Sequence, residues 1–211
     1  MKAKIVSDQH LEFHAAGGSY RKYFQAIHPA DGERAAICIV AGDFDVISQR
    51  SRAFFSELCN RENHVLFVPG NHEYYGCKEM TAVDEALLEI EQNVPNLTVL
   101  RTGVPFHFAE RRFLGDTRWL PKSPDLILSA SLVNDSRLIP HVIEEAGARH
   151  QRFRDWLSHE LRVSAMAALS FAGLCANTMP RSSRNARSWL ITAVRREIKR
   201  SRTRWIPCRS S

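Results

Sequence analysis

Three short polar clusters hold the residue types most able to do chemistry in this chain: Asp8-Gln9-His10, Gly42-Asp43-Phe44-Asp45 and Gly70-Asn71-His72-Glu73. A carboxylate and an imidazole two residues apart can both turn toward one cation from a single loop. A glycine ahead of Asp43 and of Asn71 lets the backbone approach closely and turn without a Cβ clash. Together Asp8, His10, Asp43, Asn71 and His72 offer oxygen and imidazole donors and no thiolate. That set suits Mn, Fe, Zn or Mg better than a structural zinc site. Polar residues also cap strand ends and turns, which would explain any one cluster but not three in order.

The elements that must position these clusters are legible as apolar runs. Ala3 to Ser7, Ala35 to Ala41 and His64 to Val68 each end just before one cluster. The second and third are continuously apolar, the pattern of strands buried on both faces. Helical spacing separates them. Tyr20 to His28 predicts a short helix after Gly17-Gly18. Ile47 to Cys59 predicts a second, with Phe54, Phe55 and Leu58 on one side, and Lys78 to Gln92 a third, with Val83, Ala86, Leu87 and Ile90 together. Leu97 to Leu100 predicts a further strand. Strands joined by helices of this size pair in parallel, so the fold class is α/β. The clusters then converge at the carboxyl edge of one sheet, where such sheets bind ligands. Beyond Val104, Pro105 to Ala109 and Arg112 to Leu114 predict an antiparallel hairpin without a marked turn dipeptide. Asp125 to Val133 is ambiguous in period, and Ala148 to Leu161 predicts a helix.

The ordered patterns Asp-x-His, Gly-Asp and Gly-Asn-His-Glu make the chain resemble the calcineurin-like metallophosphoesterase family over residues 1–161. The gaps are 33 residues from His10 to Asp43 and 28 from Asp43 to Asn71. The resemblance implies a metallophosphoesterase-type α/β sandwich with two divalent metal ions (Mn, Fe, Zn or Mg). Transferred residue by residue, Asp8 and His10 would bind the first ion, Asp43 would bridge both, and Asn71 would bind the second. His72 would act at the phosphate as an acid or an orienting group. The implied reaction is hydrolysis of phosphomonoesters or phosphodiesters by a metal-activated water. The family pattern also includes later histidines, among them a Gly-His-x-His near its end. After His72 this chain has His107, His141, His150 and His159, none in such a segment. The sandwich is therefore expected to be incomplete at its C-terminal end. The alternative reading is a catalytically impaired remnant that binds metal weakly.

Residues near the clusters have plainer expectations. Glu73 is either a helix N-terminal charge or a residue supporting the ligands, and Asp45 a loop carboxylate. Tyr74 and Tyr75 read as a half-buried aromatic edge. His107 reads as a cross-strand surface residue, and His141, His150 and His159 as solvated. Cys38 reads as a small core residue.

Composition bounds the rest. With 211 residues, 44% hydrophobic and 25% charged, the chain is not disordered, collagen-like or a disulfide scaffold. The apolar stretches Ala35 to Gly42 and Val163 to Ala176 are shorter than the ~18 to 20 residues of a membrane span. A charge interrupts the N-terminus before any signal-peptide core, and the five cysteines are scattered without a C-x-x-C pair. A reduced, cytoplasmic setting follows as the expectation. Charge is uneven: residues 162–211 hold eleven Lys/Arg and a single acid, Glu197. Residues 1–161 are expected to be the phosphoesterase domain. Residues 162–211 are expected to be a poorly ordered, Arg/Ser-rich segment of the composition a shifted reading frame produces. The strip Arg195 to Trp205 has the residue types for binding nucleic-acid phosphates, although a nonfunctional extension is the preferred expectation.

Overall fold

The computed structural model describes residues 2–14, 20–29, 32–121, 134–163, 168–174 and 192–194. Strands β1 (Ala3–Val6), β2 (Ile37–Ala41), β3 (Val65–Val68) and β4 (Leu97–Val99) form a parallel sheet in that spatial order. The connections hold α1 (Leu11–His14) and α2 (Tyr20–Ile27), then α3 (Gln49–Arg61), then α4 (Met80–Asn93). Sequential neighbours joined by right-handed crossovers carry their helices on one face of the sheet.

The alternation along the central strands shows what covers each face. Cys38 and Val40 of β2 cluster with Phe54, Phe55 and Leu58 of α3 and Leu87 of α4. Ile37, Ile39 and Ala41 cluster instead with Phe113 and Leu100. Strand β3 divides the same way, with Val65 and Phe67 toward the helices and Leu66 and Val68 away from them. The register agrees, pairing Cys38 with Val65 and Ile39 with Leu66.

Phe113 belongs to a second sheet, ordered β5-β6-β7-β8. Strand β5 (Phe106–Phe108) is antiparallel to β6 (Arg111–Arg118), β7 (Ala168–Leu174) parallel to β6, and β8 (Thr192–Val194) antiparallel to β7. Helices α5 (Asn134–Leu138) and α6 (Val142–Val163) lie between β6 and β7 in the chain. The architecture is the expected α/β sandwich. The β5–β6 bend is made by Ala109 and Glu110 at φ 47° and 60°, a primed-turn geometry without the glycine or asparagine that would announce it. Strand β6 outruns its expected end at Leu114 because polar residues extend it. Thr117 is buried, its hydroxyl donating to the Pro69 carbonyl at 2.7 Å. Helix α6 starts earlier than expected, its buried stripe being Val142, Ala146, His150 and Phe153.

The basic segment therefore contributes backbone to the second sheet at 168–174 and 192–194. Asp125 to Val133, the Arg195 to Trp205 strip and the remainder of that segment lie outside the described residues. No described helix is long and apolar enough to cross a membrane.

Candidate metal centre

The three clusters do converge, and backbone bonding explains how. The loop leaving β1 lies along the loop leaving β2: the amides of Asp8, His10 and Leu11 donate to the carbonyls of Gly42, Asp43 and Phe44 at 3.2, 2.9 and 2.8 Å. Phe44 anchors this pair, packing its ring 4.8, 4.7 and 5.2 Å from those of Phe54, Phe55 and Phe67. The loops after β2 and β3 touch through glycines. A Cβ on Gly42 would stand 3.1 Å from the Gly70 Cα, and one on Gly70 only 2.2 Å from Asp43 Oδ1. Asp8, His10 and Asp43 adopt φ of 51°, 46° and 54°. For non-glycine residues that left-handed backbone costs about 1 kcal/mol or more each and persists only where surrounding contacts impose it.

Glu73 supplies much of that constraint. Its carboxylate is buried and accepts from the amides of Asp43 (3.1 Å), Phe44 (2.7 Å) and Gly70 (2.5 Å), stapling two loops together. Burial and the neighbouring Asp43 charge push the Glu73 carboxyl up, against the pull of these amides. Burial likewise raises Asp43. Two buried carboxyls side by side disfavour each other's ionisation, a cost that a nearby cation would relieve.

The donor geometry is compatible with such a cation. Ligand atoms of Asp8, His10 and Asp43 lie within 4.8 Å of one another. Asp43 Oδ1 accepts from the His72 amide at 3.1 Å, so Asn71 and His72 stand beside it. Asn71 is fully buried, and its Oδ1 has no hydrogen-bond partner. Buried polar atoms are normally satisfied, and a buried carbonyl oxygen left without a partner is a group that a metal ion would satisfy. These donors fit a divalent metal that takes oxygen and imidazole ligands.

Between the imidazoles stands Glu12. Its Oε1 is 2.8 Å from His72 Nδ1 and 3.3 Å from His10 Nδ1, and the two rings are 4.3 Å apart. Burial alone would raise the Glu12 carboxyl, but the hydrogen bonds to His10 and His72 outweigh it and hold it at about 2. The bond to Glu12 raises His10, aided by the charges of Asp43 and Asp8. Phe13, 71% exposed, stands at the rim with its ring 5.7 Å from that of His10.

A second buried group, His28, Cys38 and Glu62, also brings ligand atoms within 4.8 Å. There the Lys4 ammonium already contacts His28 Nδ1 and Glu62 Oε1, each at 3.1 Å. That cluster has its cation in the chain itself.

A family model, calcineurin-like phosphoesterase, matches residues 1–160. The chain belongs to this family. Among solved structures, a phosphopantetheinyl hydrolase from Mycobacterium tuberculosis superposes with a TM-score of 0.60 at 16% identity, covering 81% of this chain and 67% of that one. At that identity the likeness is one of fold. A comparison with curated proteins found no match.

In this member of the family, Asp8, His10, Asp43, Asn71 and His72 all fall at one sheet edge. Glu73 stands in the first turn of a short 3-10 helix, His72–Tyr74, and its oxygens are committed to the loop amides, which is the supporting role. Some expectations need correcting. Tyr74 is 2% exposed rather than half-buried, its hydroxyl donating to Asp84 at 2.7 Å. His150 is buried rather than solvated, with Nδ1 2.7 Å from the Trp119 carbonyl, because it shares the inner stripe of α6. His107, His141 and His159 are exposed. None of these four later histidines joins a donor group among the described residues. Asp45 is buried beside Arg50, 3.1 Å away; burial pushes it up to about 6 despite that partner. Sequence reasoning missed the roles of Glu12 and Asp135, and read Tyr75 only as a half-buried aromatic edge, which it is. Glu12 had a weak signal, lying two residues past His10 in the first turn of α1. Asp135 lies in the segment Asn134 to Ile139, which belongs to the family resemblance, but nothing in its spacing ties it to Asn71.

Proposed function

We propose that this chain is a metal-dependent phosphoesterase that cleaves phosphomonoesters or phosphodiesters. Asp8, His10, Asp43 and Asn71 would hold two divalent ions, and His72 would act at the phosphate. The observation that carries the reading is the meeting of the Asp8, His10 and Asp43 ligand atoms within 4.8 Å of one another, at a sheet edge that also holds the buried, unpartnered Asn71 oxygen. When bound, the ions supply an activated water and neutralise charge on the phosphate. The chain's own work is positional. Asp43 sits between the strand-exit loops, where it would serve both metal positions. Glu12 orients His72 through Nδ1, leaving Nε2 as the nitrogen for a phosphate oxygen. The cytoplasmic setting belongs to this reading, and the thiols of Cys38, Cys59 and Cys77 are free.

The test is hydrolysis of bis-p-nitrophenyl phosphate and p-nitrophenyl phosphate with added Mn²⁺, alongside a metal count on the purified protein. Asp43→Asn removes the charge shared by two dications, and bound metal is expected to fall to near zero. His72→Ala is expected to lose most turnover with metal content close to wild type. Wild-type metal content in Asp43→Asn would remove the bridging assignment. A parallel loss of metal in His72→Ala would make His72 a ligand. A second reading, metal binding without turnover, is favoured by the absence of a later histidine from every described donor group. No hydrolysis with any divalent metal, despite metal bound, would establish that reading.

A further inference from the structure

Asn71 is the weakest donor in the proposed set, a neutral amide that can turn either end toward a neighbour. Three side chains decide which end faces where. Asn71 Nδ2 donates to Asp135 Oδ1 at 2.6 Å and to the Tyr75 hydroxyl at 3.1 Å. The Tyr75 hydroxyl donates in turn to the same Asp135 oxygen at 2.8 Å. An amide nitrogen has two hydrogens, and both are now committed. An ionised carboxylate only accepts, so a flipped Asn71 would set its oxygen against Asp135 Oδ1 and lose both bonds. The carboxylate thus dictates that the amide oxygen lies at the other end, where it is buried without a partner.

Asp135 suits this task and has no other among the described residues. It is 6% exposed, and no Lys or Arg is paired with it there. A buried carboxylate facing only neutral donors is expensive, unless a cation lies beyond the amide it holds. The segment bearing it is tied to the site loop, with the Gly76 amide donating to the Leu138 carbonyl at 2.8 Å. Hydrogen bonding from the amide NH₂ to an anion also enriches the amide oxygen in electron density, which strengthens it as a ligand.

We propose that Asp135, assisted by Tyr75, is a positioning residue that fixes the Asn71 amide and thereby sets affinity at the Asn71 metal position. The proposal rests on the metal reading given above. Its test is Mn²⁺ binding to the full chain, measured by calorimetry and by metal analysis after dialysis. Asp135→Ala is expected to weaken the Asn71-dependent ion by about 10- to 100-fold, the range for partners behind a ligand. The ion held by Asp8 and His10 should remain, which also reports that the variant is folded. Asp135→Asn keeps an accepting oxygen but loses the charge and gains donors that tolerate a flipped Asn71, so it is expected to recover only part of the affinity lost in Asp135→Ala, while Tyr75→Phe should show a smaller loss than Asp135→Ala. Combining Asn71→Ala with Asp135→Ala should add little beyond Asn71→Ala alone. Unchanged binding in Asp135→Ala, or equal weakening of both ions, would overturn the role of Asp135. A wild-type chain that binds no Mn²⁺, or whose binding is untouched by Asn71→Ala, would overturn the metal assignment itself.

Discussion

A methyl group on residue 70 would collide with Asp43 at 2.2 Å from Oδ1 and 2.8 Å from its amide nitrogen. The side-chain oxygen could swing away, but the amide could not, because Glu73 holds it. Gly70→Ala is therefore expected to displace Asp43 and to lower Mn²⁺ affinity at least tenfold, with a smaller effect on thermal stability. Metal titration beside a melting curve checks this; intact affinity would mean that the loop has slack. The requirement was visible in the sequence only as the pattern Gly-Asn-His-Glu. The sequence suggested close approach and a tight turn together; in the structure residue 70 is a glycine for lack of space and not for its φ. The ligand candidates were legible because each sits within a few residues of a strand end. Glu12 and Asp135 were not, since their roles depend on partners brought close by folding: His72 for one, Asn71 for the other.

At the level of elements, the parallel sheet could be read nearly to the residue, because buried strands β2 and β3 leave no polar position to blur the pattern. The second sheet was harder. Strand β6 carries Asp116 and Thr117, whose polarity is absorbed by specific bonds, with the Thr102 amide donating to Asp116 at 2.8 Å. Helix α3 shows a local rule acting directly on a site-bearing element. Ser48 caps it, its hydroxyl accepting from the Arg50 amide at 3.3 Å, while Ser51 Oγ accepts from the Ser48 amide at 2.9 Å. This helix carries Phe54 and Phe55, against which Phe44 and the Asp43 loop are set. Ser48→Ala is expected to cost about 1 kcal/mol. With a slope of about 2 kcal/mol/M, that lowers the urea midpoint by about 0.5 M. No shift would mean that packing alone holds the helix start.

For the molecule as a whole, acid is the condition to examine. Burial, with the charges of Lys4 and Arg61, holds the His28 imidazole down at about 3, from 6.5 in the unfolded chain. The folded form thus keeps this ring neutral where the unfolded form would protonate it. Stability from His28 is fully present above pH 6.5 and is lost as pH falls toward 3. For one group that amounts to about 2 kcal/mol by pH 5. Urea unfolding at pH 7.5 and pH 5 should show the loss, and His28→Gln should flatten it; an equal slope in the variant would exonerate His28. The layering has a consequence for synthesis on the ribosome. Helices cover one face of the parallel sheet as it forms, but Ile37, Ile39, Leu66 and Val68 wait for Phe113 of the later hairpin. At roughly 5 to 20 residues per second, the stretch from Leu100 to Arg118 takes about one to four seconds to emerge. During that interval the nascent chain presents an uncovered apolar face, the kind of surface on which nascent chains associate wrongly.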